Sequence, residues 1–226
     1  MKAWRICLLA VAMTPCGTAQ NTVESAAVLV EEEPHHHVVL KNEWVVLMRV
    51  SIPEGERTLY HTHGSDRGAV DLSKSSITVQ KINELEGPPQ SAQPGDVSLT
   101  SVDQPLPHRV HNVGPGLFEV LDIEFLRRPR EPSKTAATAP VAGENACARA
   151  YRWTLGPGAT SAMHTHERPY VIVAVTGFPL KMTGPDGQSS THEVKAGDFH
   201  WVDAKVTHSL TNEGAAEAQI VEIELK

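Results

Sequence analysis

The sequence predicts two tandem all-β barrels, or jelly rolls, within one chain. A motif pattern occurs twice in register, each half contains short β-like runs broken by Gly, Pro, Asn and Asp, and a Pro/Ala-rich stretch separates the halves. The 226 residues, 40% of them apolar, are enough to bury a core in each half. The net charge of -7, without any basic stripe, argues against a nucleic-acid partner.

The N-terminus predicts a secretory signal peptide over residues 1–19. Lys2 and Arg5 precede a short apolar run, and Gly17-Thr18-Ala19 supplies small residues for cleavage. The run is too short to span a bilayer, so we expect no transmembrane segment after cleavage and a protein exported to the periplasm or the extracellular space. A lipoprotein anchored through Cys16 is disfavoured, because Pro15 stands where a small residue is needed. The polar residues 20–34 are expected to be disordered.

The first barrel is predicted over residues 35–126. It opens with the alternating, β-branched stretch HHHVVLKNEWVVLMRVSI, which favours one or two strands, and a turn follows at Pro53-Glu54-Gly55. We interpret His35, His36 and His37 as a solvated lead-in rather than a metal-binding tract, because neighbouring side chains on a strand point to opposite faces.

The internal repeat is the feature that decides the fold. Gly55 is followed after five residues by His61-Thr62-His63, and Gly158 is followed at the same spacing by His164-Thr165-His166. His-x-x-x-Asn-x-Gly then recurs at His108 and at His208, after the turns Pro94-Gly95-Asp96 and Ala196-Gly197-Asp198. Each half closes on a similar strand, FEVLDIEFL from Phe118 and AQIVEIELK from Ala218. The chain is therefore a tandem duplication.

Residues 127–145 are predicted to be a linker, because they are rich in Pro, Ala, Ser and Thr and have no apolar periodicity. The second barrel is predicted over residues 146–226. If residues 1–19 are removed, Cys147 is the remaining cysteine, and we interpret it as a small buried hydrophobic residue.

These motifs resemble those of the cupins, and specifically the two-domain bicupins. The resemblance covers nearly all of the chain after the signal peptide, and it implies two cupin-type β-barrels of the double-stranded β-helix or jelly-roll kind. It departs from the family pattern at Lys74, which stands where a closing glycine is expected, and at Asp203-Ala204-Lys205, which replaces Pro-x-Gly.

The resemblance implies that three histidines in each barrel converge on a divalent metal. The implied ligands are His164, His166 and His208 in the second barrel, and His61, His63 and His108 in the first. Residues two apart on a strand share a face, which agrees with the paired His-x-His ligands. Imidazole suits Fe, Mn, Ni, Cu or Zn, and the sequence does not choose among them.

The glutamate that completes many cupin sites is absent from its expected position. Tyr170 stands there in the second barrel, as a ligand, a hydrogen-bond donor to a bound anion or a packed aromatic residue, and we treat it as a candidate catalytic residue. Arg67 stands there in the first barrel, where its permanent charge opposes a metal; the alternative is that it binds a substrate carboxylate. His200, beside Trp201, is a candidate for lining the substrate cavity.

Three functional hypotheses remain open at this point. The first is an exported metalloenzyme, by resemblance a dioxygenase-type oxidoreductase that acts on a small organic acid or phenol. The second is a non-catalytic binding module for a metal or a small, anionic ligand, and the third is a structural barrel with relic histidines. Two barrels in one chain can pack as a pseudo-dimer, so a monomer and a homodimer are both compatible with the sequence.

Overall fold

The computed structural model describes residues 26–105, 107–127, 139–203 and 205–226. The predicted signal peptide, Cys16 and most of the predicted linker lie outside these residues. The prediction of an all-β chain with two barrels is confirmed. The strands are β1 Val28–Leu29, β2 His36–Lys41, β3 Val45–Ile52, β4 His61–Thr62, β5 Arg67–Asp71, β6 Ser75–Lys81, β7 Gln90–Ala92, β8 Val97–Thr100, β9 His108–Asn112, β10 Phe118–Phe125, β11 Val141–Glu144, β12 Ala148–Leu155, β13 His164–His166, β14 Tyr170–Ala174, β15 Phe178–Thr183, β16 Ser189–Val194, β17 Phe199–Val202, β18 Val206–Asn212 and β19 Ala218–Leu225.

Each barrel consists of two facing sheets. The first half has the orders β1-β4-β9-β6-β7 and β2-β3-β10-β5-β8, and the second half has β11-β12-β19-β14-β17 and β13-β18-β15-β16. Apart from the parallel pair β1 and β4, the paired strands of these sheets are antiparallel. Among the described residues, no helix is long and apolar enough to cross a membrane.

The two barrels share one hydrophobic core, formed by the sheet of each barrel that contains β10 or β19. Strands β10 and β19 lie in the middle of these sheets and alternate between two environments. Val221, Ile223 and Leu225 pack in the shared core with Leu121 and Ile123 of the first barrel. The other face of each strand points into its own barrel, so each barrel interior can differ without disturbing the contact between barrels.

A reciprocal pair of arginines also joins the barrels. Arg49 on β3 donates a hydrogen bond from Nη2 to the carbonyl of Gly197, and the repeat-equivalent Arg152 on β12 donates to the carbonyl of Gly95. Gly197 has a φ of +83°, and a Cβ at that position would lie 2.7 Å from Nη1 of Arg49. Glycine is therefore favoured there by the positive φ of the turn, and its missing side chain leaves room for the guanidinium.

The asparagine of the repeated His-x-x-x-Asn-x-Gly motif has a structural role in both barrels. Asn212 is fully buried, donates from Nδ2 to the carbonyls of Leu155 and Ala216 at 2.9 and 2.7 Å, and accepts the amide of Gly214 at 2.8 Å. Asn112 makes the same kind of bonds, to Ile52, Gly116 and Gly114. Each asparagine thus holds together the loops at one end of its barrel.

The N-terminal segment differs from the expected disordered stretch and solvated histidine tract. Residues 26–34 include strand β1 and a 3₁₀ turn at Val30–Glu32, and Glu33 is buried. The Glu33 carboxylate accepts the Nδ1 proton of His36 at 2.6 Å and the backbone amide of Leu59 at 3.0 Å. His36 is buried too, and its hydrogen bond to Glu33 compensates for the burial of both polar side chains. The final part of the predicted linker also differs, since residues 141–144 form strand β11.

Candidate metal centre

The C-terminal barrel brings three predicted histidines together with one glutamate. His164 and His166 lie on β13, His208 lies opposite His164 on β18, and Glu222 lies on β19. All four side chains are buried, and their potential ligand atoms lie within 4.8 Å of one another. This is the geometry expected of ligands that share one ion.

Glu222 is a candidate metal ligand that the sequence did not reveal. Its Oε1 lies 3.3 Å from Nε2 of His166 and 3.3 Å from Nε2 of His208, and its Oε2 lies 3.3 Å from Nε2 of His164. Trp153 donates its indole N–H to Oε2 at 2.6 Å and orients the carboxylate. The carboxylate beside these histidines therefore comes from the last strand, whereas Tyr170 occupies the position at which the family pattern places a glutamate.

The outer nitrogens of the paired histidines are held by acceptors, so their inner nitrogens face the cluster. Nδ1 of His164 donates to the carbonyl of Ala162 at 2.9 Å, and Nδ1 of His166 lies 3.3 Å from Oε2 of Glu224. Because a carbonyl only accepts, the neutral form of His164 carries its proton on Nδ1 and leaves a lone pair on Nε2. Glu224 is fixed by the backbone amides of Glu167 and Arg168. Such outer contacts orient metal-binding imidazoles.

The inner atoms fit a divalent transition metal. Nε2 of His164 and Nε2 of His208 are 3.0 Å apart, whereas Nε2 of His166 and Oε1 of Glu222 are buried without a hydrogen-bond partner. Buried acceptors that face one another are costly unless a proton or a cation lies between them. Three imidazoles and one carboxylate suit the iron, manganese, nickel, copper and zinc named above.

The charges in the cluster show how strongly the site favours a cation. Burial by itself raises the pKa of Glu222, but the three histidine rings whose Nε2 atoms lie 3.3 Å from its carboxylate outweigh burial and hold that pKa well below its ordinary value. Burial lowers the pKa of His166, but Glu222 and Glu224 outweigh it and raise the pKa to about 9. Glu222 therefore stays ionised and attracts positive charge to the cluster.

Tyr170 lies beside this cluster, and its hydroxyl has no hydrogen-bond partner. Its ring stacks on His166 with a centroid distance of 3.8 Å, and it is fully buried. Burial, together with the charges of Glu222 and Glu224, raises its pKa above the ordinary value. The phenol therefore remains protonated and is a hydrogen-bond donor. Its catalytic role stays a prediction.

A cavity of about 570 Å³ adjoins the metal cluster inside the second barrel. Tyr170, Val206 and Ile220 line the cavity. Val206 and Ile220 lie on β18 and β19, the strands that carry His208 and Glu222, and Tyr170 stacks on His166. The predicted cavity residue His200 lines it as well, whereas Trp201 packs against the shared core. The substrate-binding role of His200 stays a prediction.

The first barrel repeats the histidine cluster with different neighbours. His61, His63 and His108 are buried with potential ligand atoms within 4.8 Å of one another. Nδ1 of His61 donates to the carbonyl of Leu59 at 3.0 Å, and Nδ1 of His63 lies 3.0 Å from Oε1 of Glu124. These outer contacts match those in the second barrel position by position, which the sequence repeat alone did not show.

The inner side of the first cluster is different. Nη1 of Arg67 lies 3.3 Å from Nε2 of His63, and Asp122, the equivalent of Glu222, lies 3.9 Å from Nδ1 of the same ring. Burial, together with His108 and His36, lowers the pKa of His61 to about 3. This cluster therefore has a guanidinium where the second has a carboxylate, and metal binding by its three histidines stays a prediction.

Other polar residues near the paired histidines are engaged elsewhere. Glu167 forms a surface ion pair with Lys205 at 2.7 Å. Buried Asp66 accepts the backbone amide of Val102 at 2.9 Å and the thiol of Cys147 at 3.2 Å. Neither carboxylate belongs to a histidine cluster.

Comparison with known proteins identifies the family. A family model described as "Cupin domain" matches residues 151–224. The beta-alanine degradation protein BauB of Pseudomonas aeruginosa is 35% identical over 74 residues, which are 33% of this chain and 77% of BauB. AerE from Microcystis aeruginosa has a TM-score of 0.62 and 12% identity, with 85% of this chain and 93% of AerE covered.

A second solved structure, a variant of salicylate 1,2-dioxygenase from Pseudoaminobacter salicylatoxidans, has a TM-score of 0.54 and 12% identity, with 80% of this chain and 71% of that protein covered. At such identities these two structures show the fold alone. Together with the family match and the BauB similarity, they show that the chain belongs to the cupin superfamily as a member with two barrels.

Proposed function

We propose that the protein is an exported, metal-dependent enzyme of the dioxygenase type that oxidises a small organic acid or phenol in its C-terminal barrel. The observation that carries the proposal is the convergence of His164, His166, His208 and Glu222 in a buried cluster beside a cavity. Such a ligand set would hold one divalent cation, and a redox-active metal bound there would mediate the transfer of electrons from the substrate to oxygen.

The residues of this chain bind and orient in the proposed site. His164, His166, His208 and Glu222 hold the metal, while Ala162, Glu224 and Trp153 fix the orientation of those ligands. Tyr170 keeps its phenol proton and donates it as a hydrogen bond to an oxygen of the bound substrate. The apolar cavity walls exclude water from that contact.

A non-catalytic binding module is the second candidate function. The observation that favours it is the near-complete burial of the cluster, since His166 and His208 are 1% and 2% exposed. A metal ion in such a closed site could be stored or could stabilise the fold without meeting a substrate.

Metal analysis of the natively purified full chain tests the shared premise of both functions. We expect about one equivalent of a transition metal, and its loss in His164→Ala/His166→Ala. Absence of metal from the parent protein, even after reconstitution, would overturn both functions. Oxygen uptake with a panel of small phenols and acids then separates the enzyme from the binding module. The N-terminal residue of the exported protein, determined by mass spectrometry, tests the proposed cleavage after residue 19.

A further inference from the structure

The cavity beside the metal cluster combines apolar walls with a single strong cation. The walls consist of side chains from both sheets of the second barrel: Tyr170, Ile172, Ala174, Leu180, Met182, Val194, Phe199, Val202, Val206 and Ile220. Among the described residues that line it, Arg49 is the one arginine or lysine; the remaining polar residues are His192, Asp198 and His200. An apolar pocket with few polar groups suits a small ligand that has an apolar body.

Arg49 belongs to the first barrel, not to the barrel whose cavity it lines. It extends from β3 across the contact between the barrels and donates Nη2 to the carbonyl of Gly197. That bond uses one of the five N–H donors of a guanidinium. Within the described part of the chain, no carboxylate forms an ion pair with Arg49. Asp198, the acidic residue of the cavity, accepts the backbone amide of Lys195 at 2.8 Å.

The position of Arg49 relative to the metal cluster defines two ends of the cavity. Tyr170 stacks on His166 at one end, and Arg49 lies with Asp198 and Gly197 at the turn that connects β16 to β17. The apolar residues of β14, β15 and β17 lie between these ends. A ligand that fills the cavity therefore meets a guanidinium as well as the neighbourhood of the metal.

We propose that Arg49 is a specificity-determining residue contributed by the first barrel, and that it binds the carboxylate of a small acid with an aromatic or branched aliphatic body. A planar guanidinium pairs bidentately with a carboxylate, and the pairing is strong where apolar walls exclude water. Free energy of binding from the walls selects the apolar body, and Arg49 selects the charge. That this acid is the substrate rests on the proposed function, but its binding at Arg49 does not.

The internal repeat supplies a matched control. Arg152 is the repeat equivalent of Arg49 and makes the equivalent bond to Gly95, but it is not among the described residues that line this cavity. Replacement of either arginine removes a hydrogen bond between the barrels, and replacement of Arg152 also removes its ion pair with Asp96 at 3.5 Å. Only replacement of Arg49 removes a cation from the cavity.

The test measures binding of benzoate, of its neutral isostere benzamide and of acetate to the full chain by isothermal titration calorimetry. It is done with the protein as purified and after removal of metal by a chelator. For the parent protein we expect benzoate to bind more tightly than benzamide and acetate. Arg49→Gln should weaken benzoate binding by about tenfold or more and leave benzamide binding unchanged. Arg152→Gln should leave benzoate binding at the parent value.

Two results would overturn the proposal. One is the absence of benzoate binding that depends on Arg49; the other is an equal loss in Arg49→Gln and Arg152→Gln, which would make both arginines purely structural. Thermal unfolding of both variants shows whether each is folded, and benzamide binding reports on the cavity walls independently. Benzoate binding that depends on Arg49 in a protein without metal would support this inference while the proposed function fails. Metal binding without benzoate binding would overturn this inference and leave the proposed metal site intact.

Discussion

Nη1 of Arg67 lies 3.3 Å from Nε2 of His63, so a guanidinium contacts the nitrogen that would bind a metal in the first barrel. In the second barrel, the equivalent nitrogen of His166 lies 3.3 Å from the carboxylate of Glu222. The same histidine geometry is therefore combined with opposite charges in the two halves.

We expect the first cluster to bind metal only after Arg67 is replaced. Arg67→Ala removes the positive charge and frees Nε2 of His63, so metal content should rise from about one to about two equivalents per chain. Arg67→Lys is the control, because it retains the charge, and it should stay near one. A parent protein that already contains two equivalents, with half of them lost in His61→Ala/His63→Ala, would contradict this prediction.

Glu222 should contribute more to metal affinity than Glu224, although the two lie two residues apart on one strand. Glu224→Gln disturbs only the outer contact of His166 and should weaken metal binding by about 10–100-fold. Glu222→Gln removes a ligand and its charge, so the loss should be larger. Competition with a chromophoric chelator measures both affinities. Equal affinities for the parent and Glu222→Gln would show that the three histidines suffice.

Replacement of either repeat asparagine should destabilise its barrel without removing the metal ligands. Asn212→Ala leaves the carbonyls of Leu155 and Ala216 without their buried donor, which should cost about 2–4 kcal/mol. Asn112→Ala should cost a similar amount, because its bonds are equivalent. Urea unfolding measures the loss, and a stability that does not change would show that the loops hold without these bonds.

Glu33 should stabilise the protein at neutral pH and cease to do so in acid. Burial alone raises its pKa, but hydrogen bonds from His36, His35 and the Leu59 amide outweigh burial and lower it from 4.5 to about 2. Its contribution is therefore present above pH 4.5 and is lost as the pH falls through about 2. Glu33→Gln should lose about 2–3 kcal/mol at pH 7, and the difference from the parent should shrink below pH 4.5. A difference that is constant with pH would contradict the assignment.

Asp71 should destabilise the folded protein as the pH rises, whereas Glu33 stabilises it at neutral pH. Burial and the charge of Asp96 raise its pKa from 3.8 to about 7, so ionisation is easier in the unfolded chain than in the folded one. The folded protein therefore loses stability as the pH rises from about 4 through about 7. Asp71→Asn should be more stable than the parent at pH 9, by on the order of 2 kcal/mol, and no more stable at pH 3. Asp103→Asn, at an exposed position, is the control for thermal unfolding across this range.

The repeat in the sequence was sufficient to predict the two barrels, and the resemblance to the cupins implied the grouping of six histidines into two clusters, which the structure contains. Glu222 was missed because the carboxylate was sought only at the positions of Tyr170 and Arg67, which follow the paired histidines. The signal was present nevertheless: Ile220 and Val221 are adjacent and both apolar, so both faces of that strand are buried, and acidic residues at 222 and 224 must then be buried too. Arg49 could not be found in this way, because its partner Gly197 lies 148 residues away along the chain.

The shared core has an evolutionary consequence for how the two halves can change. Substitutions on the outward faces of β10 and β19 must suit both barrels at once, whereas substitutions on the inward faces concern one barrel only. Two differences between the halves lie on inward faces: Arg67 stands at the position equivalent to Tyr170, and Asp122 at the position equivalent to Glu222. Neither half could be excised as an independent module without exposing Val221, Ile223 and their neighbours, so divergence of chemistry in a duplicated barrel proceeds while the halves remain obligately fused.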